Sequence, residues 1–144
     1  MIDKALLSPA AVLVAWSLLM LLWMVITRLP AMRSSGIDLA KAPPGGRGAD
    51  LEKVLPANVN WKSHNYTHLM EQPTLFYAVI VILTLVGATG RTNVALAWSY
   101  VGLRIVHSFW QATVNTIPVR LTLFALSTAC LIGLAANAVL ATLL

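Results

Sequence analysis

Charged and polar side chains lie at intervals inside or beside the long apolar stretches of this 144-residue chain. The set comprises His64, His68 and Glu71, then Arg104, His107 and Gln111, then Asn115 and Arg120. The first trio is spaced i, i+4, i+7 and the second is spaced i, i+3, i+7, so each trio shares one helical face. The two polar faces are predicted to lie against each other.

Arginines and imidazoles in a partly desolvated pocket favour an anionic, polar ligand, and they can lower the pKa of a bound thiol. Structural roles stay open for the same residues. Arg104 and Glu71 can form an interhelical ion pair, and His68 and His107 can make interhelical hydrogen bonds. Arg120 can reach lipid head groups. No metal site is predicted, because the histidines lie on different helices and carboxylates are scarce.

Composition indicates which elements position these side chains. The chain is 58% hydrophobic and 10% charged, whereas soluble domains carry about 25% charged residues. A bundle in lipid can expose apolar side chains outward, so we expect an integral membrane protein of class all-α, with one domain and no nucleic-acid partner. Periodicity and length predict four spans at about 7–29, 66–88, 94–114 and 117–143. Residues 30–63 form the one long loop, in which APPGGRG is typical of turns.

Basic residues predict the orientation of the four spans. Six of the ten Lys and Arg residues lie in or beside the long loop: Arg28, Arg33, Lys41, Arg47, Lys53 and Lys62. Basic loops stay on the cytoplasmic side, so both termini are expected on the other side of the membrane. The start of the second span, the end of the third and the start of the fourth then meet at the cytoplasmic face. The polar residues all belong to that end.

Two segments resemble the MAPEG family, the membrane-associated proteins of eicosanoid and glutathione metabolism, especially its small bacterial members. They are HNYTHLMEQPTLFYA and LRIVHSFWQATVNTIPVRLTLF. In the second, an Arg is followed by a His three residues later, a Pro eleven further on and an Arg two beyond that. Arg104, His107, Pro118 and Arg120 reproduce this family spacing. His68 stands where family members carry Asn, and Phe124 where several carry Tyr.

The resemblance implies a homotrimer of four-helix protomers that binds glutathione at the cytoplasmic helix ends between subunits. It implies Arg120 as the catalytic arginine near the reacting thiol. The glutathione-binding residues it implies are Arg28 (or Arg33), His68, Glu71, Arg104, His107 and Gln111. The expected function is a glutathione-dependent membrane transferase or peroxidase that acts on lipophilic electrophiles from the membrane lipids. A non-catalytic lipid-binding or scaffold protein of the same fold and a small proton-coupled transporter using Glu71 are the alternatives.

Overall fold

Four long α-helices make up most of the computed structural model, which describes residues 4–42 and 44–144. They are α1 (Leu7–Ser34), α2 (Ala57–Leu85), α3 (Arg91–Thr113) and α4 (Ile117–Leu143). Two short 3₁₀ helices, Leu39–Lys41 and Gly48–Lys53, lie in the loop between α1 and α2. No strand occurs in these two described ranges, and the predicted all-helical bundle is confirmed.

Three of the described helices, α1, α2 and α4, are long and apolar enough to cross a membrane. Helix α3 has 23 residues, which is long enough to span, but its sequence is too polar to qualify by composition. The reason is its inward face, which buries Asn93, Arg104, His107, Ser108 and Gln111. An integral membrane protein is thus supported by three helices, and the crossing by α3 stays a prediction.

Helix α2 begins at Ala57, well before the start near residue 66 that hydropathy predicts. The side-chain amide of Asn60 donates hydrogen bonds to the carbonyls of Glu52 and Leu55, at 2.9 and 3.1 Å. These bonds attach the first turn of α2 to the loop, so a polar segment becomes helical. Helix α1 likewise continues through Pro30 to Ser34, and the irregular connection is shorter than the predicted loop 30–63.

The chain runs up and down through the bundle, and α2 and α3 contact each other and both outer helices. Tyr100 of α3 stacks on Phe76 of α2, with ring centroids 4.4 Å apart. The α3–α4 link turns at Asn115, whose φ of 60° is left-handed, and Pro118 stands in the first turn of α4, where its missing N–H costs nothing. This packing brings the loop ends of α2, α3 and α4 together.

Candidate functional site

A cavity of about 490 Å³ opens at the loop end of the bundle, and we call it the carboxylate cavity. Its walls come from the second 3₁₀ helix, α2 and α3. Its lining residues are Gly48, Ala49, Glu52, Ser63, His64, Thr67, His68, Glu71 and Gln111. Two carboxylates, two imidazoles and an amide therefore converge on one space, and four of these five groups, all except Glu52, belong to the polar set singled out from the sequence.

A second cavity of about 230 Å³ lies beside α4, and we call it the arginine cavity. His68, His107 and Arg120 supply its polar side, and Ile117, Leu121 and Phe124 supply its apolar side. Ile117 and Leu121 are exposed, so on a protein in lipid this cavity borders the hydrocarbon. A polar group and an apolar group can thus be accommodated side by side.

His68 belongs to the walls of both cavities. Its ring stacks on that of His107, with centroids 5.0 Å apart and planes 22° apart. Its Nδ1 lies 3.9 Å from a carboxylate oxygen of Glu71, and its buried Nε2 has no hydrogen-bond partner in the protein. His68 is therefore the side chain that joins the two polar faces predicted from the helical spacing.

Arg104, one turn before His107 on α3, is only 1% exposed. One terminal nitrogen, Nη2, donates to the carbonyl of His68 at 3.0 Å, and the guanidinium carbon lies 5.8 Å from the ring centroid of Phe124. Its Nε and Nη1 have no partner in the protein. Among the described residues, Arg104 and Glu71 do not form an ion pair within 4.0 Å, so the hydrogen bond to the carbonyl of His68 is the contact that holds Arg104 to α2.

Arg120 is positioned by the turn that precedes its own helix. Its Nη1 donates to the side-chain oxygen of Asn115 at 2.8 Å, while its buried Nε has no partner in the protein. The backbone N–H of Asn115 bonds to the carbonyl of Trp110 at 2.8 Å, which fixes the left-handed turn. Asn115 thus directs the guanidinium of Arg120 toward the arginine cavity.

Arg28 does not line either cavity. Its Nη1 donates to the hydroxyl of Ser63 at 2.7 Å, and its Nη2 donates to the carbonyl of Gly48. Both acceptors belong to residues in the wall of the carboxylate cavity. Arg28 therefore connects α1 to α2 and to the loop, and it stands behind the wall rather than in the space where a ligand would lie. Arg33 is exposed at the end of α1.

The chain matches the family model described as MAPEG family over residues 6–140. The chain belongs to the MAPEG family. The match covers nearly the whole sequence, so the resemblance carried by the two polar segments is confirmed for the fold as a whole. No curated protein and no solved structure matches the chain significantly. Family membership makes it a membrane protein of the eicosanoid and glutathione metabolism kind.

In this MAPEG protein the predicted residues are divided among three places. His68, Glu71 and Gln111 line the carboxylate cavity, and His68, His107 and Arg120 line the arginine cavity. Arg104 lines neither cavity and bonds to the carbonyl of His68, and Arg28 lines neither cavity and bonds to Ser63 and Gly48. Sequence reasoning assigned no role to Glu52, yet its carboxylate on the second 3₁₀ helix lies 2.9 Å from Nε2 of His64. The signal available was the concentration of charged residues within the predicted loop.

Proposed function

We propose that this MAPEG protein is a glutathione-dependent membrane transferase or peroxidase that acts on lipophilic electrophiles. The observation that carries the proposal is the arginine cavity, where Arg120 and two stacked histidines face an apolar wall. A guanidinium stabilises a thiolate, and an apolar wall at the lipid border suits an electrophile dissolved in the bilayer. The reaction type is thiol addition or displacement.

The polar atoms around the cavities support the fit of a tripeptide such as glutathione. Buried side-chain atoms without a protein partner include Nε2 of His68, Nε and Nη1 of Arg104, Oε1 of Gln111 and Nε of Arg120. Unpaired buried polar groups are costly and rare, so a cluster of them requires an explanation. A bound ligand that supplies the missing hydrogen bonds would be such an explanation. Glutathione carries carboxylates, amides and an ammonium group, which complement both the donors and the acceptors in this cluster.

Bound glutathione would supply a thiol that, once ionised, is the attacking nucleophile. The positive charge of Arg120, oriented by Asn115, would stabilise the sulfur anion in a site screened from bulk water. Phe124 and Leu121 would exclude water from the sulfur and contact the apolar body of the second substrate. His107, buried next to Arg120, would hold a polar part of the tripeptide by a hydrogen bond from its ring.

The homotrimer implied by the family is part of the same proposal, because both cavities open at the surface of one protomer. A neighbouring protomer would supply the remaining contacts to glutathione. Placement in a bacterial inner membrane, with the long loop cytoplasmic and both termini on the other side, is also proposed. It is supported by the basic residues of the loop.

The test uses purified, detergent-solubilised protein titrated with glutathione by calorimetry and by thiolate absorbance in the ultraviolet. We expect binding with a thiolate signal, and turnover with a halogenated nitroaromatic or a lipid hydroperoxide. Arg120→Ala should lower the rate about a hundredfold or more, as loss of one preorganised oxyanion donor does in other enzymes.

Arg91→Ala is the matched control, since Arg91 is exposed at the start of α3, at the end of the bundle away from both cavities. It should keep wild-type turnover and the wild-type thiolate signal. Glutathione binding without turnover of any electrophile, together with co-purified lipid, would replace the proposal by the non-catalytic lipid-binding alternative. Failure to bind glutathione at all would refute it.

A further inference from the structure

His68 separates the two cavities, and its side chain lines both of them. On one side it faces the polar carboxylate cavity, and on the other it faces the arginine cavity with its apolar wall. Its Nε2 is buried and has no hydrogen-bond partner in the protein, so this nitrogen is available to a ligand. An imidazole can carry a proton near neutral pH as well as make a hydrogen bond. His68 is therefore a candidate for proton transfer between the two reactants.

The other ring nitrogen of His68, Nδ1, has a carboxylate beside it. Nδ1 lies 3.9 Å from a carboxylate oxygen of Glu71, one turn further along α2. A negative charge on this side favours the neutral tautomer with its proton on Nδ1, which leaves the lone pair of Nε2 free to accept a second proton. The same charge stabilises the imidazolium that results. A base oriented by a third group in this way is typical of acid–base catalysis by histidine.

The charged groups around His68 come from all three helices that surround it. Glu71 lies on its own helix, α3 supplies Arg104 and the stacked ring of His107, and α4 supplies Arg120. The two guanidinium groups oppose a positive charge on His68, and Glu71 favours one. A thiolate held by Arg120 would add a second negative charge, so the proton is expected on His68 when the thiolate is in place. The remaining titratable groups of the carboxylate cavity, Glu52 and His64, pair with each other, and the guanidinium of Arg28 stands behind its wall.

His107, the neighbouring imidazole, does not offer the same chemistry. It is 3% exposed, and it lines the arginine cavity but not the carboxylate cavity. Among the residues that the structure describes, no carboxylate oxygen lies within 4.0 Å of its ring nitrogens. The side chain of His68 is 21% exposed and has Glu71 beside it. Of the two stacked rings, His68 is the one with both a carboxylate neighbour and contact with both cavities.

We propose that His68 is a catalytic acid–base residue that takes the thiol proton of glutathione on Nε2 and delivers it to the leaving oxygen of a lipid hydroperoxide. This inference rests on the proposed function, and it assigns hydroperoxide reduction as the reaction that the site favours. Arg120 would stabilise the sulfur anion, and His68 would move the proton. The exposed Ile117 and Leu121 beside the arginine cavity give an acyl chain a place to lie.

The reaction balances without a further reactant. The thiol transfers its proton to Nε2 of His68, and the thiolate sulfur attacks the terminal oxygen of the hydroperoxide. The O–O bond breaks, a sulfur–oxygen bond forms, and the departing alkoxide takes the proton from Nε2. The sulfur is oxidised by two electrons to a sulfenic acid, while the hydroperoxide is reduced to an alcohol. A second glutathione then reacts with the sulfenic acid to give glutathione disulfide and water.

The test compares two electrophiles with the full-length protein in detergent at saturating glutathione. An alkoxide is a strong base that leaves more readily when it is protonated, whereas the halide displaced from a halogenated nitroaromatic needs no proton. The quantity measured is the ratio of hydroperoxide turnover to nitroaromatic turnover, from which an effect on glutathione binding alone cancels. His68→Asn and His68→Gln keep a hydrogen-bonding side chain that cannot titrate, and each should lower this ratio about a hundredfold. Hydroperoxide turnover by the wild type should also slow in D₂O, while nitroaromatic turnover should not.

His64→Asn is the matched control, because it makes the same change one turn earlier on α2. His64 is exposed, pairs with Glu52 and does not line the arginine cavity, so the ratio should stay at the wild-type value. An equal fall of both turnover rates in His68→Asn would overturn the inference, as would a wild type that converts the nitroaromatic but not the hydroperoxide. Failure to bind glutathione would instead refute the proposed function.

Discussion

Replacing Arg28 by alanine is expected to loosen the loop while leaving the four helices folded. The guanidinium of Arg28 bonds to the Ser63 hydroxyl on α2 and to the Gly48 carbonyl at the start of the second 3₁₀ helix. This one guanidinium therefore connects α1 both to α2 and to the second 3₁₀ helix. The substitution removes these contacts and leaves the loop attached through Asn60 and through the pairing of His64 with Glu52.

The magnitude follows from the number and exposure of the lost bonds. Hydrogen bonds that involve a charged partner contribute about 1.5–3 kcal/mol each when protected from water. Arg28 is only partly buried, and its side chain regains rotamer entropy when released, so the pair is discounted to about 2 kcal/mol. Since about 1.4 kcal/mol is a factor of ten, the loop should open about 30-fold more often.

Hydrogen exchange of the protein in detergent measures this opening directly. The amides to follow are those of Asp50, Val54 and Leu55, which donate to loop carbonyls at 2.9–3.1 Å. They should exchange faster in Arg28→Ala by about the same factor, whereas amides in the middle of α3 should not change. Arg28→Lys should be intermediate, because a single ammonium replaces a two-armed fork.

Unchanged hydrogen exchange in the loop of Arg28→Ala would refute the conclusion that Arg28 holds the loop against α1 and α2. If exchange in the loop is unchanged while glutathione affinity falls, then Arg28 contacts the ligand directly, as the family resemblance implies. If exchange in the loop becomes faster and glutathione affinity falls by no more than the same factor, then Arg28 acts on the ligand only by holding the loop in place.

Two further predictions concern buried polar groups. Arg104→Met should keep or raise the melting temperature of the unliganded protein, because a buried charge without a carboxylate partner is often neutral or unfavourable for stability. Differential scanning fluorimetry should also show that glutathione no longer raises the melting temperature of this variant. A lower melting temperature without ligand would contradict this prediction. Trp16→Phe removes the 2.9 Å bond from the Trp16 indole to the buried Ser108 hydroxyl and should cost about 1 kcal/mol in unfolding by SDS. Adding Ser108→Ala should recover part of that loss, because no unpaired hydroxyl then remains, and a double variant less stable than Trp16→Phe would be inconsistent with the reasoning.

Helical spacing predicted which polar side chains share a helical face. The i, i+3 relation places Glu71 beside His68, and the structure brings the two within 3.9 Å. The same spacing groups Arg104, His107 and Gln111 on one face of α3, and all three are buried there. Spacing within one helix reports which side chains share a face, so these local relations can be derived from the sequence.

Contacts between distant segments could not be derived in this way. The hydrogen bond from Arg28 to Ser63 joins residues 35 positions apart, and no periodicity relates them. The early start of α2 has the same origin, because Asn60 is bonded to loop carbonyls that hydropathy cannot reveal. The division of the polar residues between two cavities depends on the position of His68 between α3 and α4, which is a result of packing.

The lengths of α1 and α2 determine how the two kinds of reactant would meet. With 28 and 29 residues, these helices measure about 42 and 44 Å at 1.5 Å per residue, which exceeds the hydrocarbon thickness of about 30 Å. The polar first turns of α2 lie at the loop end of the bundle, where both cavities lie, so we expect the excess length to extend into the head groups and water at that end. The effective concentration of a water-soluble thiol is then its concentration in solution, whereas that of a lipophilic substrate is its mole fraction in the membrane. The half-saturation point of the lipophilic substrate should accordingly follow its mole fraction in the lipid. Adding empty vesicles at a fixed total amount of that substrate should dilute it in the membrane and lower the rate.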